Sequence, residues 1–306
     1  MSAIEVAGLT KDYGDVLAND DVTFDVESGE IFGYLGPNGA GKTTTIRTLM
    51  GLQSPTDGTA TVLGADIRSE SELVAAKQRI GYLPANPAFD ETATGEEVLD
   101  LHASLKGDQR REELLELFDP PLERPIRDYS TGNVQKLGLV QAFMHDPDLV
   151  VMDEPTSGLD PLLQRRFNEF VRSERDRGTT VFLSSHVLSE VRQICDRVGI
   201  IRGGRIVTVE SVADLLGRSG KSVTLRVAGH VERDAVDLPG AHDLVVERVD
   251  VPDDDGRVTE VSFTYTGDVN ELADIIAGFD LLEFGVEEAP LEDVFMRFYG
   301  DEEGTA

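Results

Sequence analysis

Apolar residues in the first two thirds of the chain come in short runs that end in turn-forming or polar residues. The run EIFGYL (Glu30–Leu35) leads into glycine and proline, and DLVVMDE and TTVFLSS are two further runs of this kind. Continuous apolar runs of this length are typical of strands that are buried on both faces. Residues 3–8 and 21–26 predict two further short strands. Because helical stretches separate the buried strands, the pattern predicts an α/β fold with a mostly parallel sheet.

From about residue 85 to 147 the apolar spacing becomes helical. The stretch TGEEVLDLHASLKG opens with the capping pair Thr94 and Glu97 and ends at Gly107. REELLELF follows, and then a helix that Ser130 begins. The apolar residues that share one face of the first helix are Val98, Leu101 and Leu105. We interpret this block as a helical insert in the α/β domain.

The remaining sequence predicts a hairpin, and after it the apolar residues begin to alternate with polar ones. IIRGGRIV (Ile200–Val207) is typical of two strands joined by a glycine turn, and a short helix follows near Ala213. SVTLRVAG, LVVERVDV and VTEVSFTY alternate like half-buried strands, and DVNELADIIAGF has helical spacing. The acidic DVPDDDG predicts a solvated hairpin tip, since it lacks the ligand spacing of a calcium loop. We therefore expect a main domain at 1–218 and a small α+β domain at 219–306.

The charge of the chain is strongly negative. It contains 28 Lys+Arg and 58 Asp+Glu, which gives a formal net charge of −30. A nucleic-acid-binding surface needs clustered Lys and Arg, so a diffuse acidic surface argues against a nucleic-acid partner. We interpret the charge as adaptation to a high-salt cytoplasm, because salt screens the repulsion among carboxylates. An ordinary acidic protein is the alternative.

Cysteine content and hydropathy bear on where the chain works. Cys195 is the single cysteine, which excludes an internal disulfide and suits a reducing compartment. No apolar run approaches the roughly 18 residues of a membrane span, and no charged and apolar leader follows Met1. We therefore expect a cytoplasmic chain that reaches a membrane only through a partner.

The stretch GPNGAGKT matches Gly-x-x-x-x-Gly-Lys-Thr between a strand and a helix. Its glycines let backbone N–H groups turn toward one point, and the following helix adds its positive end. Lys42 can reach the β- and γ-phosphates of a nucleotide, and the Thr43 hydroxyl can bind Mg²⁺. A plain glycine turn entering a helix is the structural alternative. The residues that we expect to contact a nucleotide here are Gly36, Pro37, Asn38, Gly39, Ala40, Gly41, Lys42, Thr43 and Thr44.

The run LVVMDE supplies the second half of such a site. Its apolar residues predict a buried strand that delivers Asp153 to the carboxyl end of the sheet, where Mg²⁺ would bind. Glu154 follows directly. Acidic residues at a strand end are common by themselves, but together with the glycine loop they indicate a nucleotide and Mg²⁺ site.

In order, GPNGAGKT, the helical block, YSTGNVQK, LVVMDE, SGLD and LSSH resemble the motifs of the ATP-binding subunit of an ABC transporter. The resemblance covers residues 1 to about 215. It implies a P-loop NTPase of the ABC ATPase type with a helical subdomain, ATP and Mg²⁺ as ligands, and two copies that sandwich two ATP molecules. The second copy can be this chain itself or a homologous ATPase subunit.

The resemblance also implies roles for single residues. Ser130 and Gly132 match the signature that contacts the γ-phosphate held by the other subunit; a simple helix cap is the alternative for Ser130. Glu154 matches the catalytic glutamate that orients or deprotonates the attacking water. His186 matches the switch histidine, and with Lys42 and Glu154 it makes up the predicted catalytic set.

The resemblance implies a role at two further positions, and each position also has a purely structural explanation. Tyr13 stands where the family stacks an aromatic ring on adenine, and a half-buried loop tyrosine is the alternative. Asp160 matches the aspartate that reaches across the dimer, and a loop cap is the alternative. The expected metal ligands are Thr43 and Asp153.

Three features depart from the family pattern or extend beyond it. In YSTGNVQK, Thr131 replaces the first glycine of the usual Leu-Ser-Gly-Gly-Gln, and tyrosine and asparagine replace its first and last residues. Ala85 stands where the family has glutamine or sometimes glutamate, and its methyl group can neither coordinate a metal nor hold a water. Either Asn86 or a water substitutes, or this loop works differently. LEDVFMRFYG (Leu291–Gly300) resembles the C-terminal extension of subunits that pair with exporter permeases, and a capping amphipathic helix is its alternative.

Together the resemblance implies an ATP-hydrolysing subunit that powers an ABC transporter, of the exporter type. The chain would lie on the inner face of the cell membrane, bound to an integral-membrane permease that the helical insert would touch. The alternatives are an ABC ATPase that acts on ribosomes or DNA, and a nucleotide-binding regulator with little turnover.

Overall fold

The computed structural model describes residues 1–232, 239–249 and 258–288. The chain divides into two compact units, Met1–Val212 and Ala213–Ala306. Among the described residues, no helix combines the length and the apolar character that crossing a bilayer requires.

A six-stranded sheet forms the centre of the first unit. Its strands are β3 (Ile31–Leu35), β6 (Ile80–Leu83), β7 (Leu149–Asp153), β8 (Thr180–Ser185), β9 (Arg197–Arg202) and β10 (Arg205–Ser211). They lie in the order β10-β9-β3-β8-β7-β6. All neighbours run parallel except the β9–β10 hairpin, so the predicted parallel sheet and the predicted hairpin are confirmed. The hairpin turns at Gly203 and Gly204, which adopt φ values of 52° and 81°.

A second, antiparallel sheet was not expected from the sequence. It comprises β1 (Ser2–Asp12), β2 (Leu17–Glu27), β4 (Asp57–Val62) and β5 (Ala65–Asp66) in the order β2-β1-β4-β5. The two predicted strands are real but extend further at both ends, since backbone pairing between β1 and β2 continues through several register shifts. Such irregular pairing leaves no clean alternation in the sequence.

The two sheets of this unit share one core. Phe24 on β2 stacks on Phe32 of β3 and on Phe182 of β8, with ring centroids 5.6 and 5.9 Å apart. Tyr34 joins the same group. The helices that pack against strands of the unit are α1 (Lys42–Leu49), α2 (Glu70–Lys77), α5 (Thr131–Phe143), α6 (Pro161–Asp176) and α7 (Leu188–Ile194). The core therefore fixes β3 and β8, the two strands that lead into the candidate site.

The helical insert has the predicted composition. It contains α3 (Gly95–Lys106), α4 (Arg111–Phe118), a 3-10 turn at Ile126–Asp128, and α5 (Thr131–Phe143). The predicted capping box is confirmed, because the Thr94 side chain accepts from the Glu97 N–H and the Glu97 carboxylate accepts from the Thr94 N–H. Arg110, 6% exposed, forms a buried bidentate ion pair with Glu174 of α6. This pair joins the insert to the rest of the unit, and removing one partner would leave a buried charge uncompensated.

The second unit is a small α+β fold. Helix α8 (Val212–Ser219) begins at the last residue of the first unit, and the further elements are β11 (Lys221–Ala228), β12 (Ala241–Val249), β13 (Val258–Tyr265), α9 (Val269–Ile276) and β14 (Leu281–Glu288). The strands form an antiparallel sheet in the order β12-β13-β11-β14. Val223, Leu225, Phe263 and Leu272 belong to its core. The motif at Leu291–Gly300 and the acidic loop at 250–256 lie outside the described residues.

Candidate functional site

Three neighbouring parallel strands deliver their carboxyl ends to one edge of the six-stranded sheet. In the order β3-β8-β7, Leu35 pairs with Ser185, and Ser184 pairs with Asp153. Residues that directly follow these strands must therefore lie close together, and this edge is where open α/β sheets bind ligands. The glycine loop follows β3, Glu154 follows β7, and His186 follows β8.

A cavity of about 400 Å³ opens at this edge. The glycine loop, the first turn of α1, Ala85, Glu154 and the hairpin turn line it. Gly41 has a φ of 107°, and a Cβ there would lie 2.3 Å from the Ala18 carbonyl oxygen, so this position requires glycine. No side chain caps α1, and its first turn contains no acidic residue. The free N–H groups of that turn and the helix dipole can therefore bind an anion.

Lys42 supplies the cation of the cavity. Its side chain is 6% exposed, and its ammonium donates to the carbonyls of Gly36 at 2.6 Å and Pro37 at 3.2 Å. The Glu154 Oε1 atom lies 3.3 Å from the same ammonium. A buried ammonium held by the loop itself is placed to meet a phosphate oxygen above the helix start.

Thr43 and Asp153 meet as the sequence predicts. The Thr43 hydroxyl donates to Asp153 Oδ2 at 2.7 Å, and the Ser184 hydroxyl donates to Oδ1. Asp153 is 1% exposed. A carboxylate and a hydroxyl at the phosphate end of the cavity are the oxygen ligands that Mg²⁺ takes in such sites, so the residues present fit the ion.

Glu154 stands between two positively charged or titratable partners. Its Oε2 lies 2.9 Å from His186 Nδ1. Its Oε1 is buried and accepts no hydrogen bond from a described residue, although Lys42 lies within ion-pair distance. The backbone of Glu154 adopts a φ of 51°, a left-handed conformation that is uncommon for a residue other than glycine. Such strain, together with an unsatisfied carboxylate oxygen, is typical of functional sites.

Tyr13 lies close to this region but outside the lining of the cavity. Its side chain is 54% exposed, and its hydroxyl donates to Gln53 Oε1 at 2.7 Å. Gln53 in turn donates to the carbonyl of Thr44 in α1. The structure therefore joins Tyr13 to the phosphate end of the site through a residue that the sequence reasoning missed.

The start of α5 is a capped helix end. Ser130 is exposed, and its hydroxyl accepts from the Asn133 N–H at 3.3 Å, as the cap interpretation predicts. A Cβ at Gly132 would lie 2.8 Å from the Gly158 carbonyl oxygen, so the close approach of that loop requires glycine. Contact of Ser130 with a phosphate stays a prediction.

Ser130, Gly132 and Asp160 do not line the cavity within the chain. Asp160 caps α6, since its carboxylate accepts from the Leu163 N–H at 3.0 Å. Ala85 does line the cavity, and its neighbour Asn86 is exposed. The structure thus places Ser130, Gly132 and Asp160 outside the cavity that the glycine loop and Glu154 line.

Sequence reasoning missed several residues that support the site. Ser184 bonds Asp153 and also accepts from the Glu154 N–H at 3.1 Å. Gln135 on α5 donates to the Pro155 carbonyl at 2.9 Å, which joins the insert to the segment after β7. Glu190 accepts from the hydroxyls of Thr156 and Ser185, each at 2.9 Å. Ser184 stands two residues before His186 and Gln135 lies within YSTGNVQK, whereas Glu190 belongs to no quoted motif.

Comparison with known proteins agrees with this geometry. A family model described as "ABC transporter" matches residues 19–157. The bacitracin transport ATP-binding protein of Bacillus licheniformis is 32% identical over 97% of this chain and 97% of its own length. The Nod factor export ATP-binding protein I of Sinorhizobium fredii is 33% identical over 98% of this chain and 87% of its own.

Solved structures give the same fold. One described as the ATP-binding subunit of an ABC transporter has a TM-score of 0.64 at 32% identity, over 70% of this chain and 92% of its own. A dimeric ATP-binding cassette in a post-hydrolysis state with ADP and phosphate has a TM-score of 0.63 at 21% identity, over 68% of this chain and 98% of its own. The second likeness shows the fold alone.

Proposed function

The chain belongs to the family of ABC transporter ATP-binding proteins, and from this premise we propose that it is the ATPase subunit of an exporter. It binds ATP with Mg²⁺ and hydrolyses ATP. The alternatives, an ABC ATPase acting on ribosomes or DNA and a regulator with little turnover, find less support. Relatives that match over nearly the whole chain carry transport or export in their names. Lys42 and His186 both lie beside Glu154, and this arrangement of a cation, a carboxylate and an imidazole favours a site with turnover.

The meeting of three strand ends around Lys42, Asp153 and Glu154 carries the proposal. The Lys42 ammonium and the N–H groups at the start of α1 bind the phosphates. Thr43 and Asp153 would hold Mg²⁺, and the ion would supply positive charge that offsets the charge on the phosphates. Glu154 accepts the proton of the attacking water, and His186, 2.9 Å away, holds the carboxylate in place.

Two copies are needed to complete each site. Ser130, Gly132 and Asp160 stand on a surface apart from the cavity of their own chain, and Ser130 is exposed. A helix start with an exposed serine suits the γ-phosphate that a second copy holds in its glycine loop. ATP binding would then close two chains head to tail, and hydrolysis would reopen them.

A groove on the helical insert fits a partner segment. It has a volume of about 620 Å³ and is lined by Phe89 and His102 and by the apolar face of α3. Leu101 and Leu105 on that face are each 65% exposed, so the described part of the chain leaves these two side chains largely uncovered. Exposed large apolar residues around a groove are typical of an interaction site. We assign to it a cytoplasmic helical segment of the permease, which would hold the ATPase at the inner face of the membrane.

Copurification with the membrane protein encoded beside this chain tests the transporter assignment. Leu101→Glu with Leu105→Glu should abolish copurification, because two carboxylates would be buried against the partner. The ATPase rate of the isolated subunit should persist. Val74→Glu is the matched control, since Val74 is 55% exposed on α2, outside the groove. Undiminished copurification of the double variant would contradict the assignment of this groove, and no copurification of the parent would contradict the transporter role.

A further inference from the structure

Gln53 lies between α1 and β4, and both ends of its side-chain amide have partners. Its Oε1 accepts from the Tyr13 hydroxyl at 2.7 Å. Its Nε2 donates to the Thr44 carbonyl and to the Thr48 hydroxyl, each at 2.9 Å. Because Thr44 and Thr48 belong to α1, a single amide joins the Tyr13 ring to the helix that Lys42 begins.

The Tyr13 ring is also held from other directions. The Lys11 ammonium lies 5.0 Å from the ring centroid and donates to the Ser54 carbonyl at 2.9 Å. The Tyr13 N–H donates to the Val16 carbonyl at 3.0 Å. Yet the side chain is 54% exposed, so much of its surface is open to a ligand. A ring that is ordered in advance loses less rotamer entropy when a ligand stacks on it.

We propose that Gln53 is a positioning residue for the nucleotide base. It fixes the plane of Tyr13 relative to α1, so that a purine can stack on the ring while its phosphates lie at the helix start. This inference rests on the proposed function, in which Tyr13 stacks on adenine. Gln53 therefore acts on the affinity for the base and not on the affinity for the phosphates.

The amide group itself is required by the geometry. Its oxygen must accept from a phenol, and its nitrogen must donate to a carbonyl. Glutamate in its place could accept from Tyr13 but could not donate to Thr44, and the carboxylate would face a carbonyl oxygen. Methionine has a similar shape but makes neither bond.

Two probes separate the base from the phosphates in a calorimetric binding experiment. ADP carries both parts, and inorganic tripolyphosphate carries phosphates without a base. Gln53→Met should lower the affinity for ADP by about three- to tenfold, the usual worth of a hydrogen bond, and leave the affinity for tripolyphosphate unchanged. Gln53→Glu and Tyr13→Phe should give the same pattern. Gln78→Met, at an exposed position beyond α2, is the matched control and should change neither affinity.

A double variant tests whether Gln53 acts through Tyr13. Tyr13→Ala should lower ADP affinity, and adding Gln53→Met should lower it no further, because residues that act through one contact are not additive. In steady-state hydrolysis, Gln53→Met should raise KM for ATP while kcat falls much less.

The possible failures are distinguishable. An equal loss for ADP and tripolyphosphate in Gln53→Met would overturn the inference, because Gln53 would then act by deforming α1. Unchanged ADP affinity in Tyr13→Ala would remove the stacking role itself, which belongs to the proposed function. A loss in Tyr13→Ala with none in Gln53→Met would overturn the role of Gln53 alone.

Discussion

The strand-end edge of the six-stranded sheet and the helical insert carry their functional residues in opposite ways. At the strand ends, charged groups are paired within the chain, as Lys42 is with Glu154 and Glu154 with His186. On the insert, Ser130 is exposed at a helix start and Leu101 lies 65% exposed on a groove. In the proposed function, the first region is the reaction centre and the second offers surfaces to other chains.

The strand ends are therefore proposed to carry out ATP hydrolysis, and the insert is proposed to bind other chains. A change at the strand ends should abolish turnover and leave the surfaces for partners intact. A change on the insert should leave the strand-end groups of its own chain intact and remove an interaction with another chain.

Lys42→Ala should nearly abolish ATP hydrolysis. The variant removes the ammonium that the glycine loop places at the phosphates, and loss of one preorganised donor of this kind costs about 10²- to 10³-fold in rate. Its fold should survive, because the ammonium bonds mainly to carbonyls of its own loop. A phosphate-release assay, with a thermal melt to check folding, measures both properties. An undiminished rate in a folded variant would mean that the catalytic loop lies elsewhere.

The meeting of the strand ends at the candidate site was largely predictable from the sequence, because local pattern and sheet topology determine it. The run LVVMDE must end at Asp153, and parallel neighbours must end at the same edge as the glycine loop. The contacts of Gln53 and Glu190 were not predictable, since their partners lie far apart in the chain and neither belongs to a motif. The antiparallel sheet was missed for a similar reason, because its pairing passes through register shifts.

Salt should raise the melting temperature of the parent protein by several degrees between dilute buffer and molar KCl. The net charge of −30 is spread over the chain, and the Debye length falls to about 3 Å at 1 M salt. Each kcal/mol of relieved repulsion shifts the melting temperature by roughly 2–4 °C in a domain of this size. Calorimetric melts across a KCl series measure the shift. A melting temperature that does not rise would contradict the proposed adaptation to high salt and leave an ordinary acidic protein.

A histidine pair at the base of the insert should make stability depend on pH. His102 Nε2 lies 3.4 Å from His145 Nδ1, and His145 Nε2 lies 3.2 Å from the Ile80 carbonyl oxygen. Burial, with the nearby Lys106 ammonium, lowers the pKa of both imidazoles to about 4. Between about pH 4 and pH 6.5 both rings therefore stay neutral in the folded chain and become protonated in the unfolded chain. Their contribution to stability is complete above about pH 6.5 and is lost as the pH falls toward 4.

The variant His102→Gln with His145→Gln should flatten this dependence. Denaturant melts at several pH values between 7.5 and 5 give the slope of the unfolding free energy against pH. Most carboxylates are still ionised in this range. His242→Gln, at an exposed position in the second unit, is the control and should keep the slope of the parent. Equal slopes in the parent and the double variant would show that the pair does not cause the pH dependence of stability.

The division of the site between two chains is most directly tested by the mass of an ATP-trapped complex. Glu154→Gln removes the general base, so hydrolysis should fall by about 10²- to 10⁴-fold and ATP should persist. Light scattering after size exclusion, with ATP and Mg²⁺, should then report a stable dimer. Adding Ser130→Arg should return the mass to that of a monomer, because a bulky side chain would block the helix start from the γ-phosphate. Ser104→Arg, exposed on the same insert, should leave the dimer intact. A dimer that persists unchanged with Ser130→Arg would contradict the account, and Ser130 would be a helix cap only.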